Sequence, residues 1–268
     1  MSIGFAEKAD WPALREIWLS SFSDGPEYWE WLRRRLWRPE QTLVLRENGQ
    51  IVSCLLLLPC VFAPGELSAQ YIYAVATAPA FRGGGRMASL LAFAAERGRR
   101  SGADLSVLLT EKDSLQGYYA RFGYRPACVW AQRPTEKVSL QGECRPMAAD
   151  DLPAAAALYA RACAKLTAVR RTAEDWRLQL DLFAGGAVVA EQDGILSAYC
   201  FYDERGVLEA AGPEAPALAY ACAPDKPVWL TLPEPGETGR PAGCALPLTE
   251  RGEAALARGP LYLNLMLN

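Results

Sequence analysis

The stretch Arg82-Gly83-Gly84-Gly85-Arg86, running into Met87-Ala88-Ser89-Leu90-Leu91, holds the residues best placed to do chemistry. Glycine is costly at a helix entrance unless bare backbone is needed there. Three readings are open. The first is a glycine turn with no ligand. The second is a dinucleotide fingerprint, since Gly83 to Ala88 satisfies G-x-G-x-x-G/A. Such glycines, however, directly close the first strand of a βαβ unit, and a ribose-binding acid ends the next strand. Here Pro79-Ala80-Phe81-Arg82 intervene after a fourth strand, and Asp104 begins the following strand rather than ending it. A Walker loop is excluded because no G-K-[ST] follows. The third reading is a pyrophosphate cradle. Unpaired N–H groups and the positive end of a helix favour a diphosphate, and Arg82 and Arg86 add charge.

Other chemistry is limited by composition. The chain has no histidine, so Ser-His-Asp and Cys-His sites are excluded. The eight cysteines form no CxxC pair, and no metal site is expected. Scattered cysteines read as reduced thiols, which predicts a cytoplasmic protein. Any general acid or base must be Asp, Glu, Tyr, Lys, Cys or a terminus. Tyr118 and Tyr119, in Ser114-Leu-Gln-Gly-Tyr-Tyr-Ala-Arg-Phe-Gly-Tyr-Arg-Pro126, are proton donors of ordinary pKa about 10.

These residues need elements to position them. The pattern predicts a strand over 3–7, a helix from an Asp10 cap, and a second helix from Pro26. Two strands joined at Asn48-Gly49 follow, a strong hairpin signal. A strand over 69–77 leads into the glycine stretch. The next helix buries Met87, Leu90, Leu91, Ala94 and Ala95 on one face. A strand over 105–109, a short helix opened by a Ser114 cap and ended at Phe122-Gly123, and a strand over 124–132 complete a β-α-α-β-β-β-α-β-α-β order. The second half begins in the same way. Asp10-Trp-Pro-Ala-Leu-Arg-Glu-Ile-Trp18 aligns with Asp151-Leu-Pro-Ala-Ala-Ala-Ala-Leu-Tyr159, and Asp193-Gly194 repeats Asn48-Gly49. The chain therefore reads as a mixed α/β protein made of two tandem copies, 1–138 and 143–268. The second copy lacks the arginine-glycine stretch and has Gly212-Pro213-Glu214 there.

The 268 residues carry a formal net charge of −3. This predicts no nucleic-acid or membrane partner. The first 140 residues are mildly basic, with 17 Lys/Arg against 14 Asp/Glu, which suits an anionic ligand. No signal peptide is expected, because Glu7, Lys8 and Asp10 precede any apolar run.

The segment Val75-Ala-Thr-Ala-Pro-Ala-Phe-Arg-Gly-Gly-Gly-Arg-Met-Ala-Ser-Leu-Leu91 resembles motif A of the GNAT N-acetyltransferase superfamily, a strand, a proline, then R/Q-x-x-G-x-G/A and a helix. Arg82, Gly83 and Gly85 fall on the pattern, while Met87 departs from it at the last small position. The resemblance implies tandem GNAT-like folds, the first catalytic and the second degenerate. It implies that acetyl-CoA is held by Arg82, Gly83, Gly84, Gly85, Arg86, Met87 and Ala88. The backbone of Val75, Ala76 and Thr77 would pair with the pantetheine arm at a splayed sheet edge. Residues 114–126 resemble motif B, which places Tyr119 near the thioester sulfur as general acid, with Tyr118 its competitor and Ser114 a further cofactor contact.

Over its length the chain resembles the enhanced-intracellular-survival type of bacterial acetyltransferase. Longer members add a third, sterol-carrier-like domain, for which this chain leaves no room, and use a C-terminal carboxylate as base. The base here is left open among the Asn268 carboxylate, Glu111, Asp113, Asp24, Glu27 and Glu30, acting directly or through water. The acceptor pocket is expected beside Tyr28, Trp29 and Trp31, where an aromatic and acidic lining suits a cationic amine, although tryptophans at helical spacing read equally as core. Arg33, Arg34 and Arg35 read as a solvated helix face. The expected activity is acetyl-CoA-dependent N-acetylation of a primary amine by direct attack. The alternatives are a non-catalytic acyl-CoA-binding or sensing protein and a nicotinamide oxidoreductase. The acceptor is open among aminoglycoside, polyamine, peptide N-terminus and lysine, and family members often form homo-oligomers.

Overall fold

The computed structural model describes residues 1–110, 113–134, 137–226, 228–231 and 239–265. The first half runs β1 (Ser2–Phe5), α1 (Trp11–Leu19), α2 (Pro26–Arg35), β2 (Thr42–Glu47), β3 (Gln50–Ala63), β4 (Leu67–Thr77), α3 (Arg86–Arg100), β5 (Leu105–Leu109), α4 (Asp113–Ala120) and β6 (Arg125–Pro134). This is the order that the sequence pattern predicts. The second half continues with β7 (Glu143–Pro146), α5 (Leu152–Ala162), β8 (Thr167–Val169), α6 (Ala173–Leu182), β9 (Ala187–Gln192), β10 (Ile195–Asp203), β11 (Gly206–Ala211) and α7 (Ala215–Cys222). It ends with β12 (Val228–Thr231), β13 (Arg240–Pro247), α8 (Glu250–Arg258) and β14 (Leu261–Tyr262).

The tandem repeat is visible in the backbone. Asn48 and Gly49 turn between β2 and β3 at φ +50° and +81°, and Asp193 and Gly194 turn between β9 and β10 at φ +51° and +79°. These are the left-handed values that a tight hairpin requires. Asp10 and Asp151 both precede helices with a proline near the start. Neither carboxylate caps its helix, contrary to the expected cap. Asp10 accepts from the Glu7 N–H at 2.6 Å and pairs with Arg46 at 2.5 Å. Asp151 accepts from the Ala148 N–H at 2.7 Å and pairs with Arg145. Ser114 likewise does not open its helix, which begins at Asp113.

The chain forms two compact units that do not follow a cut near 138–143. The first contains residues 1–61, 66–127 and 243–258, and the second contains 62–65, 128–242 and 259–268. Strand β5 explains the exchange. Its outer edge needs partners for its N–H and C=O groups, and β13 supplies them in antiparallel register from Gly243↔Leu109 to Pro247↔Leu105. In the first unit the strand order is β1-β2-β3-β4-β5-β13. Helices α3 and α4 cover one face through Met87, Leu90, Leu91, Ala94 and Tyr119, packed on Leu43, Leu45, Leu55, Ile72 and Leu108. The five apolar positions expected on α3 are all buried.

In the second unit β11-β10-β9-β7 form one sheet, and β14 pairs in parallel with both β6 and β8, strands distant from it in sequence. Its core holds a closed polar network. Arg171 and Glu209 have fully buried side chains and meet through two hydrogen bonds of 2.6 and 2.7 Å. Glu209 also accepts from the Tyr199 hydroxyl at 2.8 Å and from the Tyr262 hydroxyl. Arg171 donates to the Asn264 carbonyl at 2.6 Å and lies 4.2 Å from the Tyr159 ring centre. A buried charge left without its partner is costly. Glu209→Leu is therefore expected to destabilise the protein by about 3–5 kcal/mol. The double variant Glu209→Leu/Arg171→Met should recover most of that loss in urea-unfolding midpoints.

Candidate active site

Strand β4 is broken in its middle. Ala74 has φ +50°, and its carbonyl accepts from the Trp18 indole N–H at 3.0 Å. An alanine held in the left-handed region costs on the order of 1–2 kcal/mol, so the surrounding packing must hold it there. The pairing of β4 with β5 stops just before this point. It covers Ala69↔Leu105, Gln70↔Ser106 and Tyr71↔Val107, although β4 continues to Thr77 and β5 to Leu109. The two parallel strands thus diverge and leave the Val75–Thr77 segment facing a gap. A splayed edge at this place is what the family resemblance implies. Thr110, just past β5, has a buried hydroxyl without a hydrogen-bond partner. A buried hydroxyl without a partner is uncommon in a folded protein, and this one sits where the two strands have separated.

The glycine stretch lies between β4 and α3. Gly83 and Gly85 have φ +82° and +75°, and a Cβ at either would meet no neighbour within 4 Å. Gly83 and Gly85 are therefore required by backbone conformation, whereas a Cβ at Gly84 would run into the Arg86 guanidinium. Gly83, Gly84 and Gly85 are exposed. No backbone carbonyl among the described residues accepts from the N–H groups of Gly83 through Ala88. The first amide here with such a partner is Ser89, 3.2 Å from the Gly85 carbonyl. A run of donors at the positive end of a 15-residue helix is a site for an anion.

The two arginines act differently from the sequence expectation of simple added charge. Arg86 clamps Glu47 at 2.8 and 2.9 Å. It also donates to the Phe81 carbonyl at 2.9 Å. The Arg86 guanidinium holds the Glu47 carboxyl below its ordinary pKa. Arg82 donates to the Thr77 carbonyl at 3.0 Å and to Ser21 Oγ at 3.1 Å, and stays exposed. Both side chains fix the loop, and only Arg82 also presents charge at its surface. Met87 points into the core beneath α3. Its bulk therefore does not obstruct the exposed amides, which explains why a large residue fits the position expected to be small. Ala88 is half-buried on the same helix.

Tyr119 is 7% exposed and packs in the same cluster as Val75, Met87, Leu108 and Cys244. Burial raises its pKa above the ordinary phenol value, with Tyr118, Tyr124 and Cys244 contributing. The group therefore keeps its proton at neutral pH. Tyr118 is half-buried, stacks edge-on against Tyr119 at 5.3 Å, and is covered by Arg121. Ser114 is exposed in the first turn of α4.

On α2, Trp29 is core: it is 1% exposed and stacks on Trp18 at 5.0 Å. Tyr28 stacks on Trp31 at 5.8 Å and hydrogen-bonds the Tyr73 hydroxyl of β4. Of the proposed bases, Glu30 pairs with Arg15 and Arg33 at 3.4 and 3.5 Å, while Asp24 and Glu27 are exposed. Arg33, Arg34 and Arg35 are exposed as expected. Glu111, the side chain of Asp113 and Asn268 lie outside the described residues. Sequence reading missed Glu47, Tyr73 and Thr110. Tyr73 had a signal in the alternation Tyr71-Ile72-Tyr73; the other two had none.

The second unit has the corresponding strand and helix, β11 and α7, but not the donors. Pro213 and Pro216 have no N–H, and Glu214 sits at the helix start with its carboxylate accepting from the Gln141 N–H at 3.1 Å. A negative charge occupies the position where an anion would bind.

Residues 2–127 match the family model of the acetyltransferase (GNAT) domain. No curated protein matches the chain. Among solved structures it resembles a probable N-acyltransferase from Enterococcus faecalis, with 16% identity and a TM-score of 0.69, over 92% of this chain and 72% of that one. It also resembles Eis1 from Mycobacterium abscessus, with 16% identity and a TM-score of 0.65, over 93% and 74%. A putative acetyltransferase from Pyrococcus horikoshii matches with 14% identity and a TM-score of 0.61, over 97% and 94%. The shared fold therefore extends through both units. Among the described residues, no helix is long and apolar enough to cross a membrane.

Gly85→Ala tests the backbone requirement. At φ +75° it should destabilise the protein by about 1–2 kcal/mol, read as a lower thermal midpoint. A Gly117→Ala control in α4, a glycine in an ordinary helical conformation, should not lower it.

Proposed function

We propose, on the premise that residues 2–127 are an acetyltransferase (GNAT) domain, that the protein moves the acetyl group of acetyl-CoA to a primary amine. The observation that carries this reading is the row of unaccepted amides from Gly83 to Ala88 beside the divergence of β4 and β5. The amides suit the pyrophosphate, with Arg82 adding charge. The backbone of Val75, Ala76 and Thr77, which β5 leaves unpaired, suits the amide-bearing arm, although the Thr77 carbonyl is taken by Arg82, and the Thr110 hydroxyl lies just past the end of β5. Acetyl-CoA, when bound, supplies an activated thioester.

The chain's own residues then do three things. The loop and β4 fix the thioester against the gap, so that attack takes place between oriented groups. Tyr119, kept protonated by burial, hydrogen-bonds the sulfur as negative charge develops and delivers the proton to the leaving thiolate. The acceptor loses a proton to a carboxylate or to water. Asp24 and Glu27 are exposed and available for this, whereas Glu30 is committed to its arginines. The second half of the sequence is a degenerate copy whose residues 243–258 belong to the first unit, and it binds no CoA of its own. The eight cysteines are free, which suits a reducing compartment such as the cytoplasm.

Calorimetric titration of the full chain with acetyl-CoA is expected to show saturable binding near one site per chain, with NADH silent. Tyr119→Phe should retain that affinity and lower amine-dependent release of free CoA by about 100-fold or more. Absence of acetyl-CoA binding removes the proposal. Binding by both proteins with equal turnover removes the role of Tyr119, and binding with no turnover for any amine favours a sensor.

A further inference from the structure

Three of the scattered cysteines meet in the second unit. Helix α7 presents Ala215, Leu218, Ala219 and Cys222 at helical spacing to the sheet beneath it. Strand register sets the face they cover. Cys200 of β10 stands opposite Val188 of β9 and Ala210 of β11, and all three belong to the cluster under α7. Ala190 of β9 belongs to it as well, and Cys144 of β7 stands opposite Ala190. Directly opposed residues share a face of a sheet, so Cys144 also faces α7. The sulfur of Cys222, the last residue of α7, accepts hydrogen bonds from both Cys144 and Cys200. The three thiols differ in access. Cys200 is buried, Cys222 is half-buried, and Cys144 is exposed on β7, the edge strand of this sheet.

We infer that Cys144 and Cys222 are a reversible oxidation site, which a hydroperoxide converts to a disulfide between the sheet edge and the end of α7. The Cys222 thiol is held below its ordinary pKa, chiefly by the hydrogen bond from Cys200, with burial opposing and Cys144 adding to the effect. Burial pushes Cys144 and Cys200 up. Cys222 is therefore the thiolate of the group, and the thiolate is the nucleophile. It attacks the peroxide O–O bond. An S–O bond forms, the O–O bond breaks, the departing hydroxide or alkoxide takes up a proton, and Cys222 becomes a sulfenic acid. The Cys144 sulfur then attacks the Cys222 sulfur. The S–S bond forms, the S–O bond breaks, and the oxygen leaves with the Cys144 proton as water. Two thiols have lost two electrons, and the peroxide has gained them. A dithiol reverses the step by exchange. The bond fastens to α7 the segment that leads into the second copy. Leu140 of that segment already packs under the helix, and the Gln141 N–H donates to Glu214 at the helix start. In a reducing compartment such a bond forms only while oxidant is present.

The test treats the reduced full chain with a small excess of hydrogen peroxide and counts thiols after denaturation. The expected result is the loss of two of the eight thiols. A peptide map should show one pair joined through Cys144 and Cys222, and dithiothreitol should restore all the thiols. Cys144→Ser should form no such bond and should leave Cys222 as a sulfenic acid that dimedone traps. Cys222→Ser should also form none, and Cys200→Ala should still form it. The peptide map is read on the wild-type chain, so a variant that fails to fold leaves the decision intact. A bond from Cys222 to Cys200, bonds only between two chains, a sulfinic acid at Cys222 without a disulfide, or eight thiols surviving a dose that oxidises free cysteine overturns the inference.

Discussion

One hydrogen bond, from the Trp18 indole to the Ala74 carbonyl, fixes the conformation on which the site depends. A strand carbonyl normally belongs to the ladder. Here it is turned out toward α1, and the residue that bears it sits at φ +50°. The ladder between β4 and β5 cannot continue past such a residue, so the parallel strands separate. The indole is held by its own packing. It stacks on Trp29 at 5.0 Å and lies 5.7 Å from Trp11, so α1 and α2 together hold the strained alanine in place. The strain is local, and it coincides with the place where β4 and β5 separate.

The same constraint explains where the polar groups of the first unit go. Once β5 has lost β4 on one side, its other edge is completed by β13. The last turn of β4 is tied to α1 by Arg82, and the start of α3 is tied to β2 by Arg86 and Glu47. With the arginines anchoring the loop from outside, the backbone amides are the donors left unaccepted. The arginines thus fix the loop through contacts within the protein.

The second unit shows what the same backbone plan becomes without that purpose. Its hairpin turn, helix starts and sheet order follow the first unit, but prolines and Glu214 stand at the start of α7. Its interior is closed around Arg171 and Glu209, with Glu209 also engaged by Tyr199, Tyr262 and Asn264, and Arg171 by the Asn264 carbonyl. One copy keeps its donors at the surface, and the other spends its charges on holding the core in register.

Local signals determined much of this protein. Apolar spacing set α3 and its buried face, Asn48-Gly49 and Asp193-Gly194 set the hairpins, and Arg82 to Ala88 with Tyr119 marked the candidate site. These were legible because each depends on neighbours within a few residues, through helix periodicity, turn dihedrals or a helix N-terminus. Tertiary structure decided the rest. It paired β13 with β5 across more than a hundred residues of sequence, turned Arg86 onto Glu47, put Met87 in the core, and set Tyr73 against Tyr28. It also put Ala74 in a conformation that no alanine signals. Such choices depend on which distant group satisfies a given backbone carbonyl or buried charge. A hydrogen bond between residues 56 positions apart, such as Trp18 to Ala74, leaves no local pattern, because only the packed helices bring its two ends together.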